Sequence, residues 1–265
     1  MMEKYSKQLN QSKYVVAFLD FLGSQKMMQS AEERDWLLQQ MRAIYNSTLE
    51  SLEEAPAYGK SPLKVRIFSD NIVFAKKVTT SMVLFEDIQY VSWVSAVFQA
   101  QALLKKLLVR GGISYGLFYC DDVFIYGEAL AKAYAMESSR AIYPRVIVDN
   151  YFFNDTILTG GIRTVKENTF FKDLDGEWCV NFVSPNIITS SEEITHSLLR
   201  KLRENIAAMY RDNSGDAKLR QKYFWLVNSF NKLLDKTKYT EFKITQNIYG
   251  DPDTVLLSFL QRGGE

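Results

Sequence analysis

The sequence predicts an α+β fold built on one antiparallel-rich sheet. Short apolar runs rich in β-branched and aromatic residues, such as KYVVAFLDF at residues 13–21, are typical of buried strands. Other runs of this kind come in pairs around polar turns, which indicates hairpins. Longer segments whose apolar residues recur at helical spacing lie between them. A sheet covered by helices accounts for all three observations.

The elements follow one another as strand, helix, hairpin, helix, hairpin, helix, strand and a last hairpin, before a helical tail. The predicted segments are a strand at 13–21, a helix at 30–54 with Ser30 as N-cap, a hairpin at 63–78, a helix at 82–108, a hairpin-like unit at 109–127, a helix at 127–142, a strand at 144–149, a hairpin at 168–183, and helices from 190 to 235 broken near 213–215. This order predicts a ferredoxin-like sheet with its helices on one face. We expect one domain over residues 1–185 and a helical C-terminal extension, residues 186–265, packed on it.

Composition and charge exclude several classes of protein. The chain has 265 residues, with 32 Lys and Arg against 31 Asp and Glu, so no global field favours nucleic acid or an anionic membrane. The polar start lacks a signal peptide and the apolar runs are strand-sized, which predicts a cytoplasmic protein without a membrane partner. The single histidine, His196, excludes sites that need two His ligands and argues against a Ser-His-Asp triad. Cys120 and Cys179 are predicted to be buried thiols.

Two isolated aspartates are the candidates for chemistry. Asp20 ends the first strand and Asp70 lies at the tip of the first hairpin, and these elements are neighbours in a ferredoxin-like sheet. Mg²⁺ and Mn²⁺ prefer oxygen ligands and are often held by one or two carboxylates together with substrate phosphates. The loop with Gly23 and Ser24 precedes a helix and offers backbone N–H groups for phosphate. The alternative is that each aspartate serves only its turn.

Four motifs in order resemble the class III nucleotidyl cyclase family. They are FLDFLG, VRIFSDNIVFA, VRGGISYG and YGEALAKAYAMES, and the likeness covers residues 13–183. The resemblance implies that residues 1–185 form a cyclase catalytic domain. It implies that Asp20, Asp70 and the backbone of Phe21 bind two Mn²⁺ or Mg²⁺ ions, and that Lys172 binds phosphate. The implied reaction is attack of the ribose 3′-hydroxyl on the α-phosphate, with release of pyrophosphate.

The positions that recognise the nucleotide base depart from the family pattern. Arg66 stands where purine cyclases have a lysine, and Phe124 stands where they have an aspartate. The residues with which the family recognises adenine or guanine are therefore both missing. With Tyr58 in the preceding loop, this resembles the bacterial Pycsar cyclases, which make cyclic UMP or cyclic CMP in anti-phage defence. The implied substrate is UTP or CTP, and the resemblance favours UTP. The alternative for Arg66 is a solvated residue at a strand edge.

A second departure concerns stabilisation of the transition state. The family's Asn and Arg fall on Ala131 and Ala135. Arg110, next to two glycines that would let a ligand approach, is the first substitute, with Lys132 and Arg140 as further basic candidates. The neighbouring acids Asp121 and Asp122 are predicted to form a hairpin turn instead.

The resemblance also implies partners. Class III domains act as head-to-tail homodimers with shared active sites, and a cyclic nucleotide would act on a downstream effector. Three functions stay open at this stage: a pyrimidine cyclase, a purine cyclase with altered contacts, and a catalytically silent cyclase-homology module that binds nucleotide. The loss of Asn and Arg favours the last, whereas the retention of Asp20 and Asp70 argues against it.

Overall fold

The computed structural model describes residues 10–53, 62–152, 169–184, 191–213 and 215–245. The chain divides into two compact units, Met1–Thr189 and Ser190–Glu265. Within the described ranges, no helix has the length and apolar character that a bilayer crossing requires. The packing of the C-terminal extension on the first domain stays a prediction.

The first unit contains eight strands and three α-helices in its described residues. In chain order they are β1 Ser12–Phe21, α1 Ala31–Glu53, β2 Leu63–Phe68, β3 Asn71–Lys77, α2 Leu84–Leu104, β4 Val109–Cys120, β5 Ile125–Tyr126, α3 Glu128–Ser139, β6 Val146–Val148, β7 Phe170–Lys172 and β8 Trp178–Val180. Ser30 caps α1 as predicted, since its hydroxyl accepts the Glu33 N–H at 3.1 Å while its own N–H donates to the Glu33 carboxylate at 2.9 Å. The helix predicted over residues 82–108 is shorter in the structure, where it covers Leu84–Leu104.

The sheet confirms the predicted ferredoxin-like core. Its strand order is β2-β3-β1-β4-β6-β8-β7, and β5 pairs with β4. The first four strands are antiparallel neighbours, and α1 and α2 provide the two crossovers of a βαββαβ unit. β6 joins β4 in the parallel sense, which extends the sheet beyond that core. The α+β class is therefore confirmed, with an antiparallel-rich sheet.

The prediction that the helices cover one face is wrong. α1 and α2 pack on the face that carries Val15, Ala17 and Leu19, whereas α3 packs on the opposite face. The reason lies in β4, where glycine leaves the second face bare. A Cβ added at Gly112 would stand 2.4 Å from the Ala133 carbonyl oxygen, so α3 lies directly on the strand backbone. The sheet is thus covered on both sides along β1 and β4.

In its described residues, the second unit contains two amphipathic α-helices and a short 3-10 helix, Thr240–Phe242. The two α-helices are α4, Glu192–Asp212, and α5, Ala217–Leu234, as the sequence predicts. Asp216 caps α5, because its carboxylate accepts the N–H groups of Lys218 and Leu219 at 2.9 and 3.1 Å. His196 lies edge-on to the rings of Tyr239 and Phe242. A packing role explains the only histidine of the chain.

Candidate active site

Asp20 and Arg110 form a cross-strand pair at the end of β1. They are direct partners in the β1–β4 register, and Asn71 of β3 is the partner of Asp20 on the other side. The guanidinium donates two hydrogen bonds to the same carboxylate oxygen, from Nε and from Nη2, each at 3.2 Å. Alternation along the strand directs Asp20 to the face that α3 covers, because Val16 and Phe18 contact α3 residues on that face.

Glu137 completes this cluster and was not predicted from the sequence. Its Oε1 lies 2.6 Å from Nε of Arg110, and its side chain is only 3% exposed, against 26% for Arg110. It follows Ala129 and Ala133 on the buried side of α3. An acidic residue on the buried stripe of a helix needs a cationic partner, and that signal could have identified it.

Asp70 occupies the tip of the β2–β3 hairpin and is tied to the loop after β1. The Ser24 hydroxyl donates a short hydrogen bond to Oδ2 of Asp70. The Phe21 N–H donates to the Asp70 carbonyl at 3.3 Å. Gly23 permits this approach, because it adopts the left-handed conformation with φ 83°. The structure thus joins the hairpin tip and the predicted phosphate loop beside the end of β1.

Burial and neighbouring charges shift the pKa values of the acidic residues in this cluster. Burial raises the pKa of the Asp20 carboxyl, the Arg110 guanidinium opposes that shift, and the charge of Asp70 adds to it. Burial also raises the pKa of Glu137, where Arg110 again opposes the shift, and both the charge of Asp20 and a hydrogen bond with Asp20 add to it. Asp20 pairs with Asn71 across β1 and β3, and the Phe21 N–H donates to the Asp70 carbonyl, so the two acids lie at adjacent strand ends where their negative charges repel each other. A cation between them would relieve that repulsion.

The oxygen donors at this point suit a hard divalent cation. Two carboxylates and a hydroxyl converge, and Mg²⁺ or Mn²⁺ takes such ligands together with water and phosphate. Across the described ranges, no group of three or more His, Cys, Asp and Glu side chains could hold a metal ion by itself. Further ligands would therefore come from the backbone, from water and from a phosphate-bearing substrate.

The glycines beside Arg110 do not open the strand to a ligand, which corrects that expectation. A Cβ on Gly111 would stand 2.4 Å from Cδ2 of Leu19, and one on Gly112 would meet α3. Both positions are filled by the protein itself. The role of Arg110 as a stabiliser of phosphate charge stays a prediction.

Arg66 contacts the β4–β5 turn, which also contains Phe124. Nε of Arg66 donates to the Asp121 carbonyl at 3.1 Å, and its guanidinium lies 3.5 Å from the Asp122 carboxylate. The Asp121 carboxylate accepts the N–H groups of Phe124 and Val123, which confirms the predicted turn. Together with a hydrogen bond from the Tyr119 hydroxyl, they lower the Asp121 pKa to about 2. Phe124 is 65% exposed. The β4–β5 turn thus binds the guanidinium of Arg66, the residue predicted to recognise the base.

The remaining basic candidates lie elsewhere on the chain. Lys132 pairs with Glu128 at 2.7 Å on α3, in a cavity of about 300 Å³ toward the start of β1. Nζ of Lys172 lies 5.9 Å from the ring centroid of Trp178. Arg140 forms a two-pronged ion pair with Glu177, at 2.8 and 2.5 Å. Tyr58 lies outside the described residues.

A second cavity adjoins the site from behind. Its volume is about 290 Å³, and it lies between α1 and the β2–β3 hairpin, on the face opposite to Asp20. Its lining is mainly apolar and includes Phe21, Met41, Tyr45 and Ile72. The cavity therefore borders the strand end and hairpin that carry the acid pair.

Comparison with known proteins gives a likeness of fold only. No protein-family model matches the sequence, and no curated protein matches it. Among solved structures, the chain is similar to the crystal structure of the adenylyl cyclase CyaB from P. aeruginosa, with 12% identity and a TM-score of 0.45. The similarity covers 65% of this chain and 95% of that one.

Proposed function

We propose that the protein is a nucleotidyl cyclase that converts UTP or CTP to the 3′,5′-cyclic monophosphate and pyrophosphate. The observation that carries the proposal is that Asp20 and Asp70 lie at adjacent strand ends, with Asp70 hydrogen-bonded to Ser24 of the loop after β1. In the reaction, the ribose 3′-oxygen bonds to the α-phosphorus, the bond to the β-phosphate oxygen breaks, and the hydroxyl proton leaves to solvent.

Two bound Mn²⁺ or Mg²⁺ ions would lower the pKa of the 3′-hydroxyl and screen the charge of the leaving pyrophosphate. Asp20 and Asp70 would hold them, together with the backbone of Phe21. Ser24 orients the Asp70 carboxylate by its hydrogen bond. Gly23 and Ser24 would accommodate the phosphates, since they begin the short turn after β1.

The pyrimidine preference rests on the groups that stand where purine readers are expected. Arg66 is a rigid donor whose guanidinium is bonded to the Asp121 carbonyl, so reading a base requires that it exchange this partner. Phe124 offers an exposed ring in the same turn as Asp121. Arginine donates to O4 of uracil or to N3 of cytosine, and we favour UTP on the resemblance to the Pycsar group.

We further propose a head-to-tail homodimer. The face that α3 partly covers carries two exposed aromatic residues, Phe68 at 44% and Tyr134 at 55%. Tyr134 and Phe68 both contact Phe18 of β1, so the exposed rings form one surface with the sheet. Burying such a surface against a second copy is favourable, and it would bring residues such as Lys132 and Lys172 of one copy to the acid pair of the other. The cyclic product would act on a separate effector in anti-phage defence.

Pyrophosphate release tests the activity. Purified protein with UTP or CTP and Mn²⁺ should release pyrophosphate, and Asp70→Ala should abolish the release. Asp35→Ala, which removes an exposed carboxylate of α1, is the matched control and should leave the rate unchanged. Equal rates for Asp70→Ala and wild type would contradict the proposal.

One observation favours a second candidate, a silent nucleotide-binding module. Arg110, the first substitute for the missing arginine, is held by two carboxylates. Such a module would bind UTP in calorimetry without releasing pyrophosphate in any condition, including the presence of phage lysate.

A further inference from the structure

Glu137 is a buried carboxylate that lies next to the proposed metal ligands without being one of them. Its side chain is 3% exposed, and its Oε1 is 2.6 Å from Nε of Arg110. The same guanidinium makes two 3.2 Å hydrogen bonds to Asp20. Arg110 is therefore shared between a carboxylate at the site and a carboxylate behind it.

We propose that Arg110 acts as an internal counterion for Asp20 and that Glu137 is the acceptor that retains Arg110 when a divalent cation takes Asp20. The inference rests on the proposed function, because it requires a cation site at Asp20 and Asp70. Glu137 is then a positioning residue: its carboxyl also lies within hydrogen-bonding reach of Asp20, and we assign its effect on the cation to its hold on Arg110.

Arg110 contacts its two acidic partners in different ways. It makes two 3.2 Å hydrogen bonds to one oxygen of Asp20, whereas its 2.6 Å approach to Oε1 of Glu137 is a closer charge contact without a hydrogen bond. A divalent cation on Asp20 would repel the guanidinium, and the two longer bonds would break first. Arg110 would keep a charged partner at Glu137, so the exchange would not leave a half-buried cation unpaired.

The placement of Glu137 supports this role. It lies on α3, and α3 is seated on the backbone of β4 at Gly112, whose added Cβ would meet the Ala133 carbonyl oxygen at 2.4 Å and Cβ of Met136 at 2.8 Å. The acceptor is thus fixed relative to the strand that carries Arg110. In the absence of a cation, the shared guanidinium also offsets the repulsion between Asp20 and Asp70.

A double-mutant cycle on Mn²⁺ affinity tests the proposal. The full chain is titrated with Mn²⁺ alone, and free ion is measured by electron paramagnetic resonance. Glu137→Gln should weaken Mn²⁺ binding about tenfold, because Arg110 then has only Asp20 as a charged partner. Arg110→Gln should tighten binding, since the competing cation is gone. In the Arg110→Gln background, Glu137→Gln should change the affinity less than about threefold.

Two controls separate this inference from the proposed function. Glu177→Gln, which breaks the ion pair with Arg140, should leave Mn²⁺ affinity unchanged. Asp70→Asn should abolish binding, and failure of wild type to bind Mn²⁺, or normal binding by Asp70→Asn, would overturn the cation site itself.

With the site intact, an unchanged affinity in Glu137→Gln would overturn the role of Glu137. An equal loss in both backgrounds would also overturn it, because Glu137 would then act on the cation directly. If Glu137→Gln does not fold, Arg110→Gln alone decides the question, and equal or weaker binding by it refutes the counterion role.

Discussion

Gly112→Ala tests the packing of α3 against the backbone of β4. The added Cβ would stand 2.4 Å from the Ala133 carbonyl oxygen and 2.8 Å from Cβ of Met136, where ordinary contacts begin at 3.4 Å. The backbone of α3 must therefore move by about 1 Å, the difference between 3.4 and 2.4 Å. Overpacking of this kind costs about 1–3 kcal/mol. The same shift would carry Glu137 away from Arg110.

Urea denaturation followed by circular dichroism measures this cost. We expect a lower midpoint with an unchanged slope, which indicates a change in stability rather than in the surface exposed on unfolding. Gly215→Ala is the matched control, because nothing lies within 4 Å of the position of its Cβ. That control should be neutral or stabilising by about 0.4–1 kcal/mol. If Gly112→Ala behaves as Gly215→Ala does, the packing of α3 on β4 is refuted.

Three further predictions follow from buried and charged groups. Arg145 is 2% exposed and binds Asp173 and Asp175, so Arg145→Met should destabilise the fold by about 3 kcal/mol or more in thermal unfolding, and a loss below about 1 kcal/mol would contradict its role as a clamp of the β7–β8 turn. Asp20→Asn should raise the melting temperature at pH 7 without metal, because the raised pKa of Asp20 means that its ionised form opposes folding, and the gain should vanish as the pH falls below about 4. Asp121→Asn, at a carboxyl whose pKa is lowered to about 2, should instead lower the melting temperature at pH 7. A change of the same sign in both variants would refute these assignments of the two carboxyl groups. Arg66→Lys should shift the ratio of kcat/KM for UTP to that for ATP, since lysine lacks the planar pair of donors, and an unchanged ratio would remove Arg66 from base recognition.

Local pattern was sufficient to predict β1, the β2–β3 hairpin, the Ser30 cap and the positions of Asp20 and Asp70. Each depends on residues close in sequence, or on strands that a ferredoxin-like order makes neighbours. The side of the sheet that α3 occupies depends instead on bare backbone at Gly112, which lies on another element.

Partners that are distant in sequence explain the other misses. Glu137 meets Arg110 only after α3 folds back on β4, and Arg66 meets the Asp121 carbonyl through a turn 55 residues later. Residue type suggested that both arginines were available to a ligand. The structure shows that each already has an acceptor within the chain.

Product identification tests the central claim most directly. Wild-type protein and Asp70→Ala are incubated with ATP, GTP, CTP or UTP and Mn²⁺, and the products are identified by mass spectrometry. We predict cyclic UMP or cyclic CMP with wild type and no cyclic product with Asp70→Ala. Cyclic AMP or cyclic GMP as the main product would contradict the pyrimidine preference, and binding of all four nucleotides without any cyclic product, with or without phage lysate, would contradict the cyclase.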